Sequence, residues 1–263
     1  WIRRRHEEGR TYFISNLTAK RVDGWVRLGT RPASAVLLDP MFDHRAGKAA
    51  LKPVADGCVS VYLQLKPGES RVLRTYDTRD VEGPDWPYLE AVASQAAPLE
   101  GEWAVEFVQG APELPAPYTT NKLESWTERG GVARSFAGTA RYSLTFDKPA
   151  TSAPDWLLDL GRVGESARVF LDGEEVGVVF AHPFEIRLGA ALKEGENRLD
   201  IEVTNLGANR IRQLDREGVA WRIFHDINFV NIRYGKFDAS GWPLMPSGRS
   251  EEHTSELQSP LCI

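Results

Sequence analysis

Aromatic side chains interleaved with hydrogen-bonding ones carry the most suggestive chemistry in this 263-residue chain. The densest run is Trp221 to Asn231, which reads Trp-Arg-Ile-Phe-His-Asp-Ile-Asn-Phe-Val-Asn. An indole offers a flat apolar face on which a sugar ring can stack, and imidazole, carboxylate and amide groups can bond the ring's hydroxyls. In that reading Trp221 stacks while His225, Asp226 and Asn228 hold hydroxyl groups. In the competing reading the segment is a structural loop with Trp221, Phe224 and Phe229 in the core, where most aromatic surface ends up. Trp126, between Ser125 and Thr127 after a proline-rich loop, has the same two readings: an exposed stacking platform or a packed anchor.

Other chemistries find little support. Glycoside hydrolysis needs two carboxylates flanking the scissile bond. Asp and Glu are plentiful, but spacing in a β-rich sequence does not say which two meet, so no catalytic residue is assigned. Neither a phosphate-binding loop, a dinucleotide fingerprint, a CxxC pair nor a GxSxG elbow occurs. His6 and His44 lack metal-ligand spacing. A structural calcium would need clustered oxygens, and Asp159, Asp172 and Asp200 are only scattered candidates, so no metal or cofactor is assigned. Of the two cysteines, Cys58 lies beside Val59 and Val61 and reads as a small buried hydrophobe. Cys262 lies in the suspect tail discussed below, which leaves no internal disulfide.

The elements that must position these groups are strands. Ala167/Val169/Leu171 and Leu199/Ile201/Val203 alternate apolar with polar residues, the period of a half-buried strand. Asp172-Gly173 is a two-residue hairpin turn, and Gly195-Glu196-Asn197 leads into the next strand. Further strands are expected at Thr11–Ser15, Gly24–Gly29, Ala33–Pro40, Leu99–Phe107, Phe136–Phe146 and Trp156–Gly161. Val59–Leu65 and Ser70–Tyr76, separated by Lys66-Pro67-Gly68-Glu69, read as a hairpin. Asn209–Gly218 reads as one short helix with Gly218 at its C-terminal cap. The fold class is therefore all-β with two β-sandwich domains, and the resemblance given below implies a jelly roll for the second. Domain limits are expected at 1–76 for an incomplete first sandwich, 77–97 for a linker rich in Asp, Gly and Pro, and 98–248 for the second.

Composition is that of an ordinary globular protein, with 42% hydrophobic and 26% charged residues. A net charge of −5 without a basic stripe argues against a nucleic-acid partner. No apolar run approaches the roughly twenty residues of a membrane-spanning helix. The opening Trp1-Ile2-Arg3-Arg4-Arg5-His6 reads as the middle of a domain. The tail from Arg249 to Pro260 resembles a translated sequencing adapter, so residues 249–263 are set aside as an artefact. The chain is then expected to be a fragment lacking both natural termini.

Two resemblances extend this reading. The stretch Ser166–Asn205 is similar to the galactose-binding-like sandwich of large glycoside hydrolases, family 2 among them. It carries a Val-Phe-Leu-Asp-Gly-Glu-Glu-Val-Gly hairpin, a Pro-Phe strand and Leu-Lys-Glu-Gly-Glu-Asn-Arg-Leu-Asp-Ile-Glu-Val-Thr-Asn. Asp172 stands where that pattern has Asn before Gly173. Residues Ile2 to Asn16 and the Val61–Thr75 stretch resemble the accessory β-domain that follows the catalytic barrel in family 106 alpha-L-rhamnosidases. The resemblance implies an accessory, carbohydrate-binding C-terminal region of a periplasmic or extracellular glycosidase, with the catalytic acids on an upstream barrel of the same protein. The alternative is a stand-alone carbohydrate-binding or adhesion module.

Overall fold

A computed structural model describes residues 1–42, 45–88, 96–150, 156–223, 235–250 and 256–258. Its described part is nearly all β, in two sandwiches.

In the first sandwich, one sheet runs Ile2–His6, Gly9–Ser15, Ser70–Tyr76, Ser34–Leu38, Ala46–Lys48, every neighbour antiparallel. The facing sheet runs Val22–Leu28, Val59–Leu65, Leu51–Pro53. Tyr12, Leu37 and Leu73 from one sheet meet Leu28, Val61 and Leu63 from the other. Inward-facing apolar residues alternate with outward polar ones, as a two-layer core requires.

The expected Val59–Tyr76 hairpin does not form. Both strands exist, but they lie in opposite sheets. The turn between them explains this. Glu69 N–H donates to the Lys66 carbonyl at 3.0 Å, and Gly68 has φ +81° with Pro67 before it. Proline followed by a positive-φ glycine is the signature of a type II turn, whose twist splays strands instead of pairing them. The chain therefore arches across the core. Asn16 secures the arch: its carbonyl accepts from Gly68 N–H at 2.8 Å, and its side-chain amide donates to the Leu65 carbonyl at 3.1 Å.

Part of the expected linker belongs to this first unit. Trp86 N–H donates to the Lys48 carbonyl, Lys48 N–H donates to the Pro84 carbonyl, and the Trp86 ring is buried in the first core. Gly47 permits the approach, since a Cβ there would lie 2.6 Å from the Trp86 backbone. Prolines break strand periodicity without preventing a tryptophan from docking.

The second sandwich has a six-stranded sheet in the order Tyr118–Thr120, Trp103–Ala111, Ala137–Asp147, Glu196–Thr204, Ser166–Leu171, Glu174–Val179. Opposite it lie Glu185–Arg187, Leu157–Asp159, Glu256–Gln258 and Ala96–Pro98. The Asp172-Gly173 hairpin forms as the sequence predicts. Leu171 pairs with Glu174, and both turn residues take positive φ (49° and 85°), the type I′ geometry that matches strand twist. The helix is Ala208–Arg216. Val219 N–H reaches the Leu214 carbonyl and Gly218 N–H the Asp215 carbonyl, so Gly218 ends the helix as a Schellman cap.

The residues set aside at the C-terminus are partly inside this fold. Gly248–Ser250 pairs with Arg162–Gly164. Arg249 is buried, with its guanidinium 4.9 Å above the Trp103 ring and Nη2 donating to the Leu160 carbonyl at 2.9 Å. The indole face and the backbone acceptor offset part of the cost of burying that charge, while Nη1 is buried without a hydrogen-bond acceptor.

Candidate functional site between the two sandwiches

The candidate site lies where the two sandwiches meet. The Lys66–Glu69 arch of the first contacts the Phe180–Glu185 segment of the second. Lys66 Nζ bonds both Glu185 carboxylate oxygens, at 2.7 and 2.6 Å. A Cβ on Gly68 would lie 2.8 Å from the His182 Cβ, so only glycine allows this approach. Phe42, from a loop of the first sandwich, packs against the core of the second.

These contacts enclose a cleft of about 330 Å³. Its apolar walls include Phe13, Met41, Leu157 and Phe180, and its polar lining includes Asp39, Arg45, Glu69, Arg71, His182, Glu185 and Arg187. Asp39 organises the loop that follows it. Its Oδ1 accepts Met41 N–H at 3.0 Å, and its Oδ2 accepts Arg45 Nη1 at 2.8 Å. Arg71 also lies 3.4 Å from Oδ2 and is held on its other side by Glu69. The Arg45 and Arg71 guanidiniums both sit over the Trp86 ring, at 5.2 and 5.3 Å.

Burial and charge act together here. Arg45 is pushed down to about 10, first by burial and then by the like charges of Arg187 and Arg71, against the pull of Asp39 and Glu69. Burial raises the Glu185 carboxyl; Lys66 opposes the rise, while Asp159 and Glu69 add to it. Guanidinium and carboxylate groups thus sit together in the lining, in contact with one another. Asp39, Glu69 and Glu185 each already hold a cation, an arrangement suited to binding and poorly suited to a paired acid and base.

The residues singled out in the sequence are placed elsewhere. Trp126 is fully buried in the short 3₁₀ helix Trp126–Arg129, edge-on to Phe107 at 5.5 Å and Phe136 at 5.9 Å. No sugar can stack on it, so the packing reading holds for this residue. Trp221 is half-buried. Its Nε1 donates to Asp215 Oδ1 at 2.7 Å and its ring meets Phe237 at 6.1 Å. Asp215 organises this cluster, accepting also from Arg222 at 3.0 Å and from Ala239 N–H at 2.7 Å. Burial pushes its carboxyl up, but those donors outweigh burial and leave it below the usual carboxylate range. His225, Asp226 and Asn228 lie outside the described residues, as do Phe224, Phe229 and His44.

Asn205 and Asn209 are staples. Asn205 accepts from Gly138 N–H and donates to the Phe136 carbonyl, and Asn209 exchanges both amide bonds with the Met245 backbone. Among the described residues no group of three His, Cys, Asp or Glu side chains could hold a metal. Asp159, Asp172 and Asp200 are engaged by Gly161 N–H, by Arg198 N–H and Lys193, and by Ser143 with Arg198. Cys58 is half-buried and unpaired, not fully buried as expected.

The cleft itself was missed because its walls come from five distant stretches: Phe13, Asp39–Phe42 with Arg45, Gly68–Arg71, Leu157, and Phe180–Pro183 with Glu185 and Arg187. The one local hint was Lys66-Pro67-Gly68-Glu69, a turn carrying both charge signs beside a glycine.

Comparisons with known proteins agree on a class. No protein-family model matches the chain. A curated protein of Formosa agariphila named "Putative beta-glucuronidase" is 37% identical over 118 residues, which are 43% of this chain and 10% of that protein. A solved rhamnosidase from Novosphingobium sp. PP1Y matches with a TM-score of 0.70 at 25% identity, over 97% of this chain and 23% of that one. A Bifidobacterium dentium beta-glucuronidase matches over 44% of this chain and 21% of its own at 24% identity, with a TM-score of 0.36. The chain spans less than a quarter of each of these proteins, and the first two relate it to a part of larger glycoside hydrolases.

Proposed function

We propose that the chain is an accessory, carbohydrate-binding region of a larger glycoside hydrolase with alpha-L-rhamnosidase activity, exported to the periplasm or beyond the cell. One observation carries this reading: a single rhamnosidase matches 97% of the chain at a TM-score of 0.70, across both sandwiches together. Catalysis then belongs to a barrel elsewhere in the parent, since the cleft carboxylates are neutralised by their own cations. Fold alone does not assign chemistry, so the test is enzymatic. The full-length parent should hydrolyse a nitrophenyl alpha-L-rhamnoside and lose that activity when paired acids on the barrel are removed. Hydrolysis of a beta-glucuronide alone, or a parent with no barrel, would reject the proposal.

A second reading, a carbohydrate-binding or adhesion module without catalysis, is favoured by the outer face of the three-stranded sheet. Trp25 is 46% exposed there. It lies 5.3 Å from Tyr62, which is 5.2 Å from Tyr88, and Asp23 and Gln64 flank the row. Calorimetry of the 263-residue chain with rhamnose-containing oligosaccharides distinguishes the two. Binding lost in Trp25→Ala, from a parent inert in hydrolysis, supports the module.

A further inference from the structure

We propose that the outer edge of the first sandwich, built on Ile2–His6, is a docking surface for the remaining body of the larger glycosidase, which meets it with carboxylates around an apolar recess. The inference rests on the reading of the chain as part of a larger enzyme, and it adds which face the rest of that enzyme covers.

Ile2–His6 is an edge strand that gains almost nothing from burial. It pairs with Gly9–Ser15 along its whole length, yet Ile2, Arg3, Arg4 and Arg5 are all exposed. A strand ordinarily hides one of its two faces. Here the opposite sheet has three strands against five, and Arg3 and Arg5, on the side of the core residue Tyr12, stay exposed. Ordering these five residues costs backbone entropy that ladder hydrogen bonds alone offset poorly.

The other side of the strand opens onto a bare apolar row. Ile2 is 66% exposed and lies opposite Phe13, which is 41% exposed. Val72 and Leu38, both half-buried, continue the row across the sheet. Tyr12, Leu73 and Leu37 alternate with these residues and fill the core, so the row faces out. Phe13 also borders the cleft, as does Phe180 of the second sandwich, 63% exposed. The apolar patch therefore reaches the seam, and a body seated on it touches both sandwiches.

Charge selects the partner. The next row on that face carries Arg4 and Arg74 with Thr11 between them. Among the described residues the side chains of Arg3, Arg4 and Arg5 have no ion pair, hydrogen bond or ring contact, whereas Arg10 holds Asp77 and Arg79 holds Glu8 close by. Three consecutive guanidiniums without carboxylates, in a chain of net charge −5, complement an acidic surface. Bare apolar side chains beside arginines have the composition of an interface. A second copy fits poorly, since a two-fold contact would set Arg3–Arg5 against themselves. The rhamnosidase match supplies the occupant: it takes in 97% of this chain and 23% of the other, so most of that protein lies outside the match.

The test is hydrogen exchange by mass spectrometry on the full-length parent and on the 263-residue chain. Peptides covering Ile2–His6 should exchange about tenfold more slowly in the parent, and added salt should shrink the difference. Replacing Arg3, Arg4 and Arg5 together by Glu should remove the extra protection in the parent. The exchange of Glu196–Thr204 in the second core should not change, which controls for misfolding. Equal exchange in parent and chain would overturn the proposal. So would protection that survives the triple replacement, because chain continuity would then suffice, or protection in the chain alone that rises with its concentration, because the occupant would then be a second copy. An active rhamnosidase with an unprotected strand would refute only this docking surface. A parent that cleaves a different glycoside would refute only the proposed activity.

Discussion

The ion pair between Lys66 and Glu185 joins the two sandwiches, and its energetics follow from how deeply each partner lies. Lys66 Nζ reaches both carboxylate oxygens, and the side chains are 30% and 14% exposed. An exposed pair contributes about 0–1 kcal/mol, while stripping one partner from a buried pair costs about 3–5 kcal/mol. This pair lies between the limits, so Lys66→Met should cost about 2 kcal/mol. Glu185→Gln should cost less, because the lysine stem can swing its charge toward water. In a double-mutant cycle the coupling should be about 1–2 kcal/mol, as for other groups in direct contact. The pH dependence has a definite sign. Burial raises the Glu185 carboxyl in the folded state. The folded state therefore holds that proton more tightly than the unfolded chain, and stability is lost as pH rises from the ordinary carboxylate value through the raised one. Removing Lys66 enlarges the rise, so the deficit of Lys66→Met should shrink on acidification from neutral pH. Urea unfolding at several pH values measures all of this. Coupling within about 0.3 kcal/mol of zero, the usual additivity error for distant sites, would refute the reasoning. A Lys66→Met deficit that grows on acidification would refute it too.

Three further substitutions test other parts. Trp126→Ala should cost about 3–5 kcal/mol in chemical unfolding, the range for a large core aromatic, because the ring is wholly enclosed. Gly248→Ala should cost about 2–5 kcal/mol by the same measurement, combining left-handed strain with overpacking. Gly248 has φ +85°, and the new methyl would meet the Tyr142 hydroxyl and the Trp126 ring. Asp215→Asn should cost about 1–3 kcal/mol at neutral pH. Its carboxyl is depressed in the folded state, so the contribution is present above the ordinary carboxylate value and fades as pH falls through the folded one. The difference between Asp215→Asn and the unmodified chain should therefore narrow in acid, as followed by tryptophan fluorescence.

Strand positions were legible where one face is buried, because alternation at Ala167/Val169/Leu171 and Leu199/Ile201/Val203 directly reflects a two-layer core. The Asp172-Gly173 hairpin and the Gly218 cap were legible because each depends on a residue able to take positive φ. Pairing was less so. Val59–Leu65 and Ser70–Tyr76 alternate identically whether they pair or face each other, and only the type II character of the turn decides. Trp126 showed the limit for site residues: an indole between two hydroxyl side chains has the same local sequence whether exposed or enclosed. The cleft was illegible because its charged groups converge only through the arrangement of two domains.

The Lys66–Glu69 arch also bears on how such domains can be recombined. The proline- and glycine-rich stretch near residue 80 invites a fusion point, yet the fit between the sandwiches is specified on either side of it. A second sandwich grafted from another protein would have to bring its own partner for Lys66 and a backbone that tolerates Gly68 beside it. The two units are therefore best moved as one cassette, and chimeras cut at that junction should inherit a mismatched seam even when each half folds.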